Sequence, residues 1–176
     1  MSREALEYNT YTGPIFEKWK KDKTAFIETG TNFSDGVYTA IKCGYTHIAS
    51  VENNPELFNE ACDKLGALRE ELDGKVNIEL HLGRSDAHIA DMLSKVEGPA
   101  VLWLDAHNDD HHSVTLAELN IIKDLGTDDH TIIIDDVPYF DHHIDEVKDI
   151  ILGINPEYKF QGEETIEKDY VLVAYV

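Results

Sequence analysis

The sequence predicts an α/β domain built on a mostly parallel sheet, and three observations carry that expectation. From about residue 24 onward, apolar runs suited to strands alternate with segments of helical period. A helical segment between two such runs lets the strands lie parallel. The last two runs follow each other with no helix between them, which suits an antiparallel hairpin. At 176 residues and 42% hydrophobic, the chain suits one globular domain with a sizeable core.

The elements follow in order. The opening residues, with Tyr8, Tyr11, Ile15, Phe16 and Trp19, read as a helical or irregular cap outside the core. The expected organisation is therefore a cap over residues 1–23 and a single domain over residues 24–176. "TAFIETG" (Thr24 to Gly30) is the first strand, followed by a helix from about Ser34 to Cys43. "HIASVE" is the second strand, and Pro55 suits the first turn of a helix running towards Leu72. "VNIELHLG" is the third strand, and its helix carries Ile89, Met92, Leu93 and Val96 on one face. "PAVLWLDA" is a continuous apolar run, as expected for a strand covered on both faces. A helix over "TLAELNIIKDLG" follows, with Gly126 past its end. "HTIIIDD" is the fifth strand and "HIDEVKDIIL" its helix; "EYKFQGEETIE" and "DYVLVAYV" form the hairpin.

Charge narrows the partners. With 35 acidic against 15 basic residues the formal net charge is −20, which repels phosphate backbones and anionic lipid. No nucleic acid and no membrane are expected as partners, whereas metal ions or a cationic cofactor are favoured. A solubility or halophilic adaptation would leave the same signature. There is no apolar run of membrane-spanning length and no apolar signal-like segment at the N-terminus, so a cytoplasmic location is expected. Cys43 and Cys62 cannot form a disulfide framework and read as buried or half-buried thiols.

The chemistry gathers where strands end. After the first strand, "ETGTNFSDG" places Gly30 where backbone can approach a ligand and the next helix presents its N-terminus. Asn32 and Phe33 stand where a dinucleotide fingerprint would have its later glycines. Glu28 is a carboxylate inside an apolar strand, where charge needs a partner. Glu52, ending the second strand in "SVENN", is placed to accept hydrogen bonds from both ribose hydroxyls of a nucleoside. Ser85 and Asp86 in "GRSDA" read first as the N-cap region of the next helix. "WLDAHNDDHHS" breaks off the fourth strand into acids and three of the nine histidines of the chain.

Taken in order, "FIETGTNFSDG", "SVENN", "LGRSDA", "WLDAH" and "IIIDDV" resemble the class I S-adenosylmethionine-dependent methyltransferases, over about Thr24 to Val176. The resemblance implies a Rossmann-like, doubly wound, seven-stranded, mostly parallel sheet with a C-terminal antiparallel β-hairpin and helices on both faces. It implies S-adenosylmethionine as cofactor, with Glu28 and Gly30 at its methionine end, Glu52 at the ribose, Ser85 and Asp86 near the adenine, and Thr31 and Asn53 as neighbouring contacts. Ser34 stands where many members have a glycine.

Within that family the chain is similar to small divalent-metal-dependent O-methyltransferases of the catechol type. In those, an Asp after strand four and an Asp-Asp or Asp-Asn pair after strand five hold Mg²⁺; the matching positions are Asp105, Asp135 and Asp136. Neighbouring strands four and five bring these carboxylates together, and such a cluster repels itself unless a cation neutralises it. Oxygen ligands suit Mg²⁺, Mn²⁺ or Ca²⁺. The ion would bind two substrate hydroxyls and lower the pKa of the attacking one. Members carry a lysine base shortly after the strand-four Asp; this chain has Asn108 there, and His107 is the nearest replacement as general base.

Plainer roles stand beside these. Asp135 and Asp136 can cap the next turn, and Asp105 can bind the amino group of the cofactor. Asp109, Asp110, His111 and His112 can simply precede a helix capped by Ser113. The loops "DDHH" and "YFDHH" together could hold Zn²⁺, Fe²⁺ or Mn²⁺. The expected function is O-methylation of a hydroxylated small molecule, at an acceptor site that is open or completed by a second subunit in a homodimer. The rivals are a non-catalytic module binding S-adenosylmethionine or a nucleoside, which Asn108 would favour, and a metal-dependent hydrolase using the His/Asp loops.

Overall fold

A computed structural model describes residues 6–107, 111–140, 142–164 and 170–176. Seven strands form one sheet: β1 (Ala25–Thr29), β2 (His47–Glu52), β3 (Asn77–Leu82), β4 (Ala100–Leu104), β5 (Thr131–Ile134), β6 (Lys159–Glu164) and β7 (Tyr170–Tyr175). Their spatial order is β3-β2-β1-β4-β5-β7-β6. The first five strands pair in parallel, and β7 runs antiparallel to both β5 and β6. The expected fold class is therefore the one formed. The continuous apolar runs are explained by burial on both faces: all residues of β1, β4 and β5 are buried.

Among the described residues six α-helices cover the sheet: α1 (Gly13–Lys20), α2 (Asp35–Lys42), α3 (Pro55–Leu72), α4 (Ser85–Ser94), α5 (His111–Leu125) and α6 (Ile144–Ile154). On one face Val37 and Ala40 of α2 and Leu65 of α3 pack against Phe26, Ile48, Val101 and Trp103. On the other, Ile89, Met92 and Leu93 of α4, Leu119 and Ile122 of α5, and Val147 and Ile151 of α6 enclose Ile27, Leu102 and Ile132.

Three boundaries depart from the sequence reading. The segment expected outside the core contributes α1, whose Ile15, Phe16 and Trp19 are buried in the first of these clusters. No earlier apolar run exists to pattern that contact, since its partners are strands far along the chain. Helix α5 begins at His111, so Ser113 lies inside the helix and does not cap it. At α4 the N-cap is Arg84, with no side-chain cap, and Ser85 and Asp86 occupy the first turn. Pro55 behaves as expected, behind an Asn54 cap whose Oδ1 accepts from Glu56 N at 2.8 Å and from Leu57 N at 3.4 Å.

Register aligns the ends of the strands. Thr29 pairs with Val51 on one side and with Leu104 on the other, and Leu104 pairs with Ile134. Gly30, Glu52, Asp105 and Asp135 consequently emerge at one edge of the sheet. That edge includes the point between β1 and β4, whose onward connections run in opposite directions, the usual place for a ligand in an open α/β sheet.

Candidate functional site

The turn after β1 is built from three left-handed residues two apart: Gly30 (φ 89°), Asn32 (φ 46°) and Ser34 (φ 73°). Only Gly30 lacks a Cβ, and one added there would lie 3.1 Å from the carbonyl oxygen of Asp105. Asn and Ser adopt this backbone at a cost that glycine avoids. The turn is pinned from outside, because Gly30 N and Thr31 N donate to Val51 O at 2.9 and 3.2 Å. Asn32 N donates to Glu52 Oε2 at 2.8 Å. The turn geometry that Ser34 left open is thus a left-handed one.

Above this turn lies a cleft of about 310 Å³ whose wall includes Gly30, Glu52, Asn53, Ser85, Asp86 and Asp105, with His107 at one end. Seven residues expected at the site from sequence therefore meet around one volume, of a size that suits a small ligand. Glu52 is buried, and its Oε1 accepts from Asn54 N at 2.8 Å. Each carboxylate oxygen keeps a further acceptor position, which suits a vicinal diol. Asp86 is engaged by Arg84 through Nε at 3.0 Å and Nη2 at 2.6 Å, which holds its carboxyl below the usual range. Sequence reading missed Asn32 and Arg84 in this wall, because neither residue type signals a cleft without the turn that places it.

Glu28 and Thr31 stand behind the wall. Ser50 Oγ donates to Glu28 Oε2 at 2.7 Å and lies 2.6 Å from Thr31 Oγ1. Burial raises the Glu28 pKa to about 8, against the hydrogen bond from Ser50 and with the nearby charges of Glu52 and Asp35 adding. Its carboxyl rests against Gly36 in the first turn of α2, a position with no room for a Cβ. Neither Glu28 nor Thr31 is among the residues that line the cleft, and both are tied through Ser50 to the base of the turn.

A second, narrow hollow, without room for a water-sized group as it stands, borders the same Asp105–His107 stretch and is lined also by Thr115, Asp135, Asp136 and Phe140. Here ligand atoms of Asp105, His107 and Asp136 all lie within 4.8 Å of one another, close enough that they could hold a cation. Asp105 is driven up to about 9, mainly by burial and then by the charges of Asp135, Glu28 and Asp136, with Trp103 opposing. A cation answers that excess of negative charge as well as a proton does. Asp135 Oδ1 accepts from Asp136 N at 2.9 Å. The left-handed Asp136 (φ 56°) sends its own carboxylate towards His107, with Nδ1 to Oδ2 at 3.6 Å. The loop is anchored by Thr29 Oγ1, which accepts from both Asp105 N and Ala106 N at 3.2 Å.

The rest of the histidine-rich stretch divides. Asn108, Asp109 and Asp110 lie outside the described residues. His112, in the first turn of α5, stacks on His143 with ring centroids 3.7 Å apart. Sequence reading also missed Glu118. It is fully buried on α5 near the hydroxyls of Ser85 and Thr29, with no regular hydrogen bond among the described residues. Burial raises it to about 8. Its signal was an acid three residues after Thr115 and four before Ile122, on the inward face of an amphipathic helix.

No protein-family model matches the chain, and no curated protein matches it. Solved structures do. An O-methyltransferase from Bacillus cereus in complex with SAH superposes with a TM-score of 0.66 at 14% identity, over 98% of this chain and 84% of that one. TomG from Streptomyces achromogenes, an O-methyltransferase involved in tomaymycin synthesis and solved with SAM, gives 0.60 at 14% identity, over 97% and 82%. A ribosomal protein L11 methylase from Lactobacillus delbrueckii gives 0.57 at 13%, over 93% and 75%. At such identities the likeness establishes the methyltransferase fold.

Proposed function

We propose that the chain is an S-adenosylmethionine-dependent O-methyltransferase acting on a hydroxylated small molecule with the help of a divalent cation. The observation that carries this is the shared wall: the cleft over the strand ends and the cation cluster meet at Asp105–His107. A methyl donor in the cleft and a hydroxyl held by the cation would lie side by side at these residues, with no protein atom between them. Two of the superposed structures, named as O-methyltransferases, were solved with SAH or SAM.

The residues suit both groups. S-adenosylmethionine would supply an electrophilic methyl on a sulfonium, and the cation would acidify an acceptor hydroxyl. Glu52 would take the ribose hydroxyls, and Ser85 and Asp86 would stand at the adenine end. Gly30, with no side chain, would let the methionine portion approach the turn, which Glu28 and Thr31 brace. Asp105 and Asp136, with Asp135 beside them, would hold the cation. Acidic walls favour the sulfonium over its neutral product, and a cation held beside the cleft would bring the acceptor oxygen next to the methyl. The net charge of −20 supports an acceptor other than nucleic acid or an anionic membrane. Among the described residues no helix is long and apolar enough to cross a membrane.

Calorimetry with S-adenosylmethionine, with and without Mg²⁺ or Mn²⁺, tests the reading. Binding of the cofactor, with turnover of a catechol-like acceptor that needs the cation, is the expected result. Asp105→Asn should remove the cation dependence and lower kcat by about 100-fold. Failure to bind S-adenosylmethionine would overturn the transferase reading. Binding without turnover of any hydroxylated acceptor would favour a nucleoside-binding module.

A further inference from the structure

We infer that His107 is itself a ligand of the cation, so that the cluster is a two-carboxylate, one-imidazole site that selects a transition-metal ion such as Mn²⁺, Fe²⁺ or Zn²⁺ over Mg²⁺ or Ca²⁺. The inference deepens the reading above, and it takes from that reading only that a cation binds here. Ion binding can be measured without the cofactor.

Geometry comes first. Among the described residues, the group with ligand atoms within 4.8 Å of one another is Asp105, His107 and Asp136, and Asp135 is not a member. Three atoms each about 2.1 Å from one ion lie roughly 3.0–3.6 Å from one another. Side-chain rotations of up to about 1 Å bring atoms that already lie within 4.8 Å of one another to that spacing. The backbone explains why the second Asp of the pair, and not the first, is presented. Asp135 Oδ1 is occupied by Asp136 N at 2.9 Å, and the left-handed turn at Asp136 aims its carboxylate across the hollow. On the other side, Thr29 Oγ1 anchors the backbone of Asp105 and Ala106. His107 therefore follows Asp105 at a set distance.

The ring orientation then assigns the imidazole. Nδ1 lies 3.1 Å from Asp105 O, a carbonyl that only accepts, and 3.6 Å from Asp136 Oδ2, so this nitrogen points a proton at the cluster, and a bound ion would take that proton's place. A ring facing the carboxylates is placed to bind what they bind. That role differs from the proton acceptor expected from sequence. It also changes the ion. Three carboxylates make a hard, all-oxygen site for Mg²⁺, Ca²⁺ or Mn²⁺, whereas imidazole nitrogen suits Fe²⁺, Co²⁺ or Zn²⁺ and, of the first three ions, is accepted best by Mn²⁺.

The test uses the full chain stripped of metal with a chelator. Mn²⁺ and Mg²⁺ are titrated by calorimetry, and the Mn²⁺ complex is examined by electron spin-echo modulation for a directly bound ¹⁴N. The expected result is nitrogen modulation in the wild type and none in His107→Ala. The preference for Mn²⁺ over Mg²⁺ should fall at least tenfold in that variant. His107 is exposed, so the substitution leaves the core intact. His107→Asp, which restores an all-oxygen set, should shift the preference towards Mg²⁺. Absence of nitrogen modulation in the wild type, or an unchanged preference in both variants, overturns the assignment. Nitrogen modulation in a protein that fails to bind S-adenosylmethionine upholds it and overturns the transferase reading alone.

Discussion

Ser34 and Glu118 are the residues at which local chemistry and tertiary demand disagree most. Ser34 is buried in a left-handed conformation, with Oγ lacking a partner among the described residues. Glycine there would relieve strain worth roughly 1–2 kcal/mol and remove an unsatisfied hydroxyl, against about 0.5–1 kcal/mol of extra chain entropy. Ser34→Gly is expected to stabilise the fold by about 1 kcal/mol in urea denaturation. Glu118 has a native pKa of about 8, raised by burial above its ordinary value of 4.5. A raised carboxyl pKa means that the native state holds the proton more tightly. The stability it contributes is full below about pH 4.5 and is lost as pH rises through 8. Glu118→Gln, always neutral, should match the wild type near pH 4 and be the more stable by roughly 1–3 kcal/mol above pH 8. Parallel stability curves for the two proteins across that range would contradict this account.

At the scale of elements, periodicity located the five βα units and the hairpin to within a few residues, because burial on one or two faces is written directly into the apolar pattern. Helix α1 was the exception. Its apolar face fits strands that come much later in the chain: Phe16 packs on Phe26 at 4.7 Å and on Trp103 at 5.0 Å between ring centroids. Trp19 lies 4.7 Å from Tyr175 and donates to Glu163 Oε1 at 3.1 Å. The helix therefore fastens β1 and β4 to the C-terminal hairpin. Phe16→Ala is expected to cost about 3–5 kcal/mol, measured by denaturant unfolding, which is a core penalty and not that of a detachable cap. Element ends were the less legible part. The start of α4, with no side-chain cap, depends on what the preceding strand delivers, not on a capping residue.

For the molecule as a whole, a net charge of −20 sets a background of self-repulsion that acts on the folded state more than on the expanded chain. Salt screens it, with a Debye length falling from about 10 Å at 0.1 M to about 3 Å at 1 M. Raising KCl from 0.05 to about 1 M is expected to raise Tm by several degrees; a flat response would mean that opposite charges already compensate locally. The sequence by itself determined the α/β architecture and the strand ends where the chemistry gathers, since apolar period and carboxylates after apolar runs are local properties. Tertiary structure decided what those ends do together. Register set Glu52 against Asn32 and Asp105 beside Asp135, left-handed turns at Asn32 and Ser34 replaced absent glycines, and the turn at Asp136 joined its carboxylate to His107. Such relations depend on backbone conformation and on neighbours distant in the chain, and neither is carried by the spacing of residue types.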